Sequence, residues 1–200
     1  ETGIYQPANR ELFTSRGIIA AETYLVEAAT TSQVIPAATT DVFTAQLEKA
    51  RAAGAQLSDA QVSMAREFVT GDRLLGLGIG PAGAGKTSLT RLVVDTAHAS
   101  GHQVYGVAPT AAAADVVSDS MGITATTVDA FLHAETSPLG VGDVLMVDEI
   151  GMVSTPKLAE LVATAEAAGA VVRGVGDDRQ LAAIGSGGAL RMIDNATALP

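Results

Sequence analysis

Cysteine is missing from this 200-residue sequence, which excludes a disulfide framework, a thiolate metal site and thiol redox chemistry. Its absence suits a reducing, cytoplasmic setting. Positive charge is scarce: Lys and Arg number 12 against 22 Asp and Glu, for a formal net charge of −10. The deficit is spread along the chain, −3 over residues 1–70 and −7 over 71–200, so no basic half advertises nucleic-acid binding and any such contact must be local. No apolar run approaches the roughly 20 residues that span a bilayer. The opening "ETGIYQPANR" has neither the basic start nor the apolar centre of a signal peptide. Without an initiator Met, it reads as the start of an internal piece of a longer protein.

Hydrophobic residues make up 48% of the sequence, enough for one sizeable core or one core with a small helical appendage. Residues 1–70 read as helices. "TSRGIIAAETYLVEAA" places Ile18, Leu25 and Val26 on one face, and "TTDVFTAQLEKARAAG" runs from a Thr40 cap to a Gly54 stop. "LSDAQ" opens a third helix with the capping box Ser58-x-x-Gln61, and Gly71 closes it.

After Gly71 come four short runs, "LLGLGI", "QVYGVA", "VLMVD" and "AVVRGVG", each followed by a turn and a helical stretch. Runs apolar on both faces, alternating with helices, predict parallel strands buried between helical layers. An open α/β sheet of that kind places its ligand at the carboxyl ends of the strands.

The first such end carries Gly80-Pro81-Ala82-Gly83-Ala84-Gly85-Lys86-Thr87, with Ser88 next and a helical pattern following. This is G-x-x-x-x-G-K-[ST] in its required strand-to-helix setting. Glycines let backbone N–H groups turn toward an anion without Cβ obstruction, and the helix adds its N-terminal partial charge. The fitting anion is a polyphosphate: Lys86 supplies a point charge to its β and γ phosphates, and the Thr87 hydroxyl is placed to ligate Mg²⁺. A glycine-rich turn that binds nothing would need neither the lysine nor both flanks.

The second end, "VLMVDEIGM", carries Asp148 and Glu149. Mg²⁺ takes oxygen ligands and keeps several waters, so one carboxylate beside Thr87 suffices, and Asp148 is that carboxylate. Glu149, one residue on, is placed to polarise the attacking water. The third end runs "VRGVGDDRQLAAIGSGGALR". There the Gln180 amide would reach a γ-phosphate or the water, with Asp177 orienting it; a polar turn in which Arg179 and Arg191 pair with these carboxylates is the alternative. The fourth, "VAPTAAAADVV", puts Thr110 at a helix start, as a plain N-cap or as a hydroxyl holding a nucleic-acid phosphate, two compatible roles. Phe131 in "TTVDAFLHA" is expected in the core rather than as a base-stacking platform, since only 4% of the chain is aromatic. His98, His102 and His133 lack ligand spacing, so the expected metal is nucleotide-bound Mg²⁺ alone.

In order and spacing these motifs resemble the superfamily 1 helicases of the RecD-like branch, and more narrowly the helicase part of TraI/TrwC/TraA-type (MobF) conjugative relaxase-helicases. The upstream "FTSRGIIAAETYLVEAA" is similar to the helical lead-in of that family. The resemblance implies a P-loop NTPase with a RecA-like parallel sheet flanked by helices: a lead-in over residues 1–56 and a first RecA-like ATP-binding domain over 57–200. It implies an ATP- and Mg²⁺-dependent 5′-to-3′ translocase on single-stranded DNA, working within a larger relaxase chain and with the conjugative transfer machinery. Gln61 matches the position that recognises adenine, in competition with its capping role. Lys86 and Thr87 match the phosphate and Mg²⁺ ligands, Asp148 and Glu149 the Mg²⁺ ligand and catalytic base, Gln180 the residue coupling γ-phosphate to DNA, and Thr110 a DNA-backbone contact. The second motor domain and its arginine finger have no counterpart in these 200 residues, so the piece is expected to bind ATP and hydrolyse it poorly. Two other readings share features with this one: a RecD-type repair helicase, and a DNA-binding or secretion-recognition module without turnover. A small-molecule kinase would need further arginines for an acceptor site and lid.

Overall fold

A computed structural model describes residues 16–31, 34–79, 86–176 and 193. Helices α1 (Arg16–Thr30), α2 (Thr40–Ala52) and α3 (Asp59–Thr70) precede an alternating series. That series is β1 (Leu75–Ile79), α4 (Lys86–Ala99), β2 (Val104–Ala108), α5 (Ala111–Met121), β3 (Thr124–Thr127), α6 (Val128–Leu132), β4 (Val144–Val147), a 3-10 turn (Ile150–Met152), α7 (Thr155–Ala168) and β5 (Val171–Gly176).

All described strand pairings are parallel, in the order β1-β5-β4-β2-β3. The four expected strands are present, and β3 is a fifth that the apolar-run criterion passed over. Its sequence "TATT" lies at the sheet edge and is nowhere fully buried, so nothing selects for an apolar run there.

Residues alternate between two cores, as the pleat requires. Leu145 and Val147 of β4 and Val172 of β5 pack with Leu25 of α1, Phe131 of α6 and Leu158 and Leu161 of α7. Val144 and Met146, with Val171 and Val175, face Phe43 of α2, Phe68 of α3, Leu92 of α4 and Val117 of α5. Phe131 is buried in the first core, as the scarcity of aromatics suggested. Of the α1 face, Leu25 is fully buried while Ile18 and Val26 are half-buried.

The second helix is capped one residue earlier than the sequence reading placed it: the Thr39 hydroxyl, not that of Thr40, accepts from the Val42 N–H. Thr40 is instead the first helical residue. At the other end of the helix Gly54, one residue past the C-cap Ala53, adopts φ +90°, the left-handed backbone expected of a helix stop.

Helix α3 runs back against β1, joined by the four residues Gly71–Leu74. The approach is close because β1 carries Gly78: a Cβ there would fall 2.5 Å from Met64 Sδ and 2.9 Å from Phe68 Cζ. Arg173 fixes the other end of the pair. Fully buried in β5, it donates from Nε to Phe68 O (2.6 Å) and from Nη1 to Arg73 O (3.0 Å), Leu74 O (3.3 Å) and Val172 O (2.8 Å). Nη2 reaches Gly71 O at 3.5 Å. The guanidinium thus takes up Phe68 O in the last turn of α3 together with carbonyls of the α3–β1 connection and of β5 itself. Desolvation pushes its pKa down to about 10, partly opposed by the Glu67 carboxylate, so it remains charged at neutral pH.

Candidate nucleotide and phosphoryl-transfer site

Because the strands are parallel and in register, their carboxyl ends share one edge. Ile79 is level with Gly176, Val147 with Gly174 and Val107, and Ala108 with Thr127. Residues leaving β1, β5, β4 and β2 therefore emerge side by side. Strand β5 stands between β1, which leads to the phosphate loop, and β4, which leads to the acidic pair.

Gly80, Pro81, Ala82, Gly83, Ala84 and Gly85 lie outside the described residues, as do Gln180, Asp177, Arg179 and Arg191. What is described of the loop is its exit. Lys86 is the first residue of α4, and Thr87 and Ser88 are exposed in that first turn. The helix is rooted by Leu89, Leu92 and Val93 in the second core, and buried Thr90 returns its hydroxyl to Thr87 O at 3.1 Å. Hydroxyl donors at the surface of a buried helix's first turn suit an anion or its counter-cation.

Asp148 and Glu149 follow β4 and are both half-buried. The ladder continues one residue past the strand, Asp148 N–H donating to Val107 O at 2.9 Å. Glu149 then turns left-handed, φ 47° and ψ 43°, alone in this among the described non-glycine residues. An L-residue in that region costs about 1–2 kcal/mol, and such strain collects at functional turns. The 3-10 turn closes behind it through Met152 N–H to Glu149 O (2.8 Å) and Val153 N–H to Ile150 O (3.1 Å).

Thr110 is the N-cap of α5, its exposed hydroxyl accepting from Ala113 N–H at 3.2 Å. The capping box of α3 is present in both halves, Ser58 N–H to Gln61 Oε1 at 2.8 Å and Gln61 N–H to Ser58 Oγ at 3.3 Å. Gln61 sits one turn before Met64, which packs on Gly78 near the end of β1, so it lies at the phosphate-loop end of α3.

The donor set fits Mg²⁺ and a polyphosphate. Thr87 and Asp148 offer hard oxygens from elements that end at the same sheet edge. No group of three His, Cys, Asp or Glu gathers among the described residues, so a divalent cation would complete its shell from phosphate and water.

Two functional features escaped the sequence reading. Arg173 drew no reading of its own from the sequence, because the hydrogen-bond acceptors it serves are backbone carbonyls, which carry no residue signature. The face of β5 left bare by Gly174 and Gly176 under Ile150 had a readable signal, since glycine inside a strand marks a close approach.

A family model described as an AAA domain matches residues 56–199. Among curated proteins, the probable conjugal transfer protein TraA of Sinorhizobium fredii is 35% identical over 150 residues, covering 74% of this chain and 14% of its own length. The conjugal transfer protein TraA of Rhizobium radiobacter is 33% identical over 69% of this chain and 13% of its own. The ATP-dependent RecD2 DNA helicase of Deinococcus radiodurans is 36% identical over 72% of this chain and 20% of its own. The chain therefore spans a fifth or less of these relatives. Among solved structures, the UvsW helicase of bacteriophage T4 superposes with a TM-score of 0.51 over 70% of this chain and 57% of that one, at 10% identity, a likeness of fold. The chain belongs to the AAA domain family, with a RecA-like P-loop fold and a sequence related to the TraA proteins and the RecD2 helicase.

Proposed function

We propose that residues 57–200 are the ATP-binding first motor domain of an ATP-dependent single-stranded DNA translocase, moving 5′ to 3′, in a conjugative relaxase-helicase, with residues 1–56 as its helical lead-in. The observation that carries this is the shared carboxyl edge, where β1 precedes the Lys86 start of α4 and β4 runs into Asp148 and Glu149, with β5 alone between the two strands. The TraA relatives supply the conjugative setting.

In this reading the phosphate loop from Gly80 to Gly85, with Lys86 and Ser88, holds the ATP phosphates, and Thr87 and Asp148 hold Mg²⁺. The cation, when bound, neutralises charge on the transferring phosphoryl group. Glu149 takes the proton of the attacking water. Gln180, which follows β5 in the sequence, senses the γ-phosphate, and Gln61 reads adenine from the near end of α3. Thr110 and the N-terminus of α5 hold a DNA phosphate by N–H groups and a hydroxyl, which a net charge of −10 does not forbid, because surface charge is screened beyond about 8–10 Å. Residues 1–200 alone bind ATP and turn it over slowly, since transition-state charge lacks an arginine worth roughly 10³ or more in related enzymes.

The test of the binding half is thermal unfolding with Mg²⁺-ATP. Wild type shifts upward and Lys86→Ala does not, while both unfold alike without nucleotide; an equal shift in both refutes the phosphate-loop assignment. The RecD2 likeness, 36% identical over 72% of this chain, supports a repair helicase as second reading. A relaxase domain upstream in the parent chain separates the two. A module without turnover is disfavoured by the complete Gly80–Thr87 motif.

A further inference from the structure

We propose that Ile150, seated in the trough that Gly174 and Gly176 leave on β5, is the positioning residue that aims the Glu149 carboxylate. The inference rests on the reading of Glu149 as the proton acceptor.

Residues 174 and 176 face the same side of the sheet, and that side is the one covered by Ile150. A Cβ at Gly174 would overlap Ile150 Cδ1 outright, and would lie 3.3 Å from Ile150 Cβ and 3.2 Å from Leu77 Cδ2 of β1. A Cβ at Gly176 would lie 3.2 Å from Ile150 Cγ2. Ile150 is completely buried there. The seat is therefore one isoleucine wide, floored by β5 and walled by Leu77.

Its consequence falls on the preceding residue. Before Glu149 the chain is pinned by Asp148 N–H to Val107 O; after it, Ile150 is locked into the trough. A single residue must turn the chain between two fixed points. That residue is Glu149, and it does so in the left-handed region that a glutamate otherwise avoids. Burial of Ile150 holds the strained backbone, and with it the origin of the carboxylate. In a site where misplacement by about 1 Å costs on the order of a hundredfold in rate, filling the trough uncouples water activation from nucleotide binding.

The experiment uses the full-length protein and measures DNA-stimulated ATP hydrolysis, KM for ATP, nucleotide affinity and Tm. Gly174→Val is expected to lower kcat about tenfold or more with KM and affinity within about twofold. Ile150→Ala empties the seat and does the same. Ile150→Val, which removes only the Cδ1 atom that Gly174 accommodates, is the mild variant and lowers kcat about threefold at near-native Tm. The double variant Gly174→Val/Ile150→Ala conserves side-chain carbons across the contact and recovers most of kcat. Wild-type kcat in the single variants while Glu149→Gln is inactive overturns the positioning role alone. So does a loss in which kcat and affinity fall together with Tm, or a double variant no better than its parents. Full turnover in Glu149→Gln overturns the reading of the base itself and this proposal with it.

Discussion

At the scale of single residues, two side chains decide different things. Glu149 is the proposed base: with its carboxylate replaced in Glu149→Gln, nucleotide affinity is expected within about threefold of wild type while turnover falls about 10²-fold or more, the usual worth of a positioned base. Equilibrium binding of a fluorescent ATP analogue beside steady-state hydrolysis checks this, and loss of binding would make Glu149 structural. Arg173 decides stability. Arg173→Met removes the donors to four well-formed carbonyl bonds and strands buried acceptors, which is expected to cost about 3 kcal/mol in denaturant unfolding. Its pKa, lowered to about 10, has a definite sign for pH dependence. Below pH 10 both folded and unfolded states hold the proton, so the penalty of Arg173→Met is flat from pH 6 to 9. A penalty that changes steeply in that window would contradict the assignment.

The places of Lys86 at a helix start and of Asp148 and Glu149 just past β4 were legible from the apolar runs and the helical pattern beside them; their phosphate and Mg²⁺ roles are the proposed reading of residue types and spacing. Thr110 was legible only as a cap, since a hydroxyl that satisfies an N–H and one that greets a phosphate share one sequence pattern. Gln61 is alike: its carbonyl oxygen is in the capping box, and the adenine role needs a nucleotide to test it.

At the scale of elements, the lead-in helices are built into both cores instead of standing apart. Leu25 of α1 lies in one and Phe43 of α2 in the other. Helix α1 is also tied to α7 by Tyr24 Oη donating to Glu166 Oε2 at 2.7 Å. Burial, followed by that bond and the Glu166 and Glu27 charges, raises the Tyr24 pKa. The folded state therefore keeps the phenol proton at a pH where the unfolded chain has released it. The contribution is complete below pH 10 and is lost as pH rises beyond it. Tyr24→Phe is expected to lose about 1 kcal/mol at neutral pH and to flatten the decline of stability above pH 10, as followed by urea unfolding at pH 8 and 10.5. An unchanged slope would mean that the bond is not made. Element types were readable from the alternation of apolar runs and capped helices, and β3 was not, because an exposed edge strand needs no apolar pattern. The capping shift from Thr40 to Thr39 is the ordinary ambiguity of two adjacent threonines, decided by which hydroxyl reaches an N–H.

At the scale of the whole molecule, strand order matters most. The chain goes from β1 across to β2 and β3, then returns through β4 to place β5 in the gap. That return places β5 between the strand that precedes Gly80–Gly85 and the strand that precedes Asp148 and Glu149, a juxtaposition that motif order along the sequence does not reveal. Charge works at this scale too. With −10 overall, DNA contact by residues 1–200 is expected to be weak and salt-sensitive, and tight binding that persists at high salt would speak against the account. Among the described residues no helix is long and apolar enough to cross a membrane.

The most direct measurement is ATP hydrolysis by residues 1–200 and by the full-length protein, each with and without single-stranded DNA. The motor account predicts slow, DNA-insensitive turnover by the 200 residues and strong stimulation of the full-length protein by DNA. A full-length protein that binds ATP but hydrolyses it at the same rate with and without DNA would contradict it.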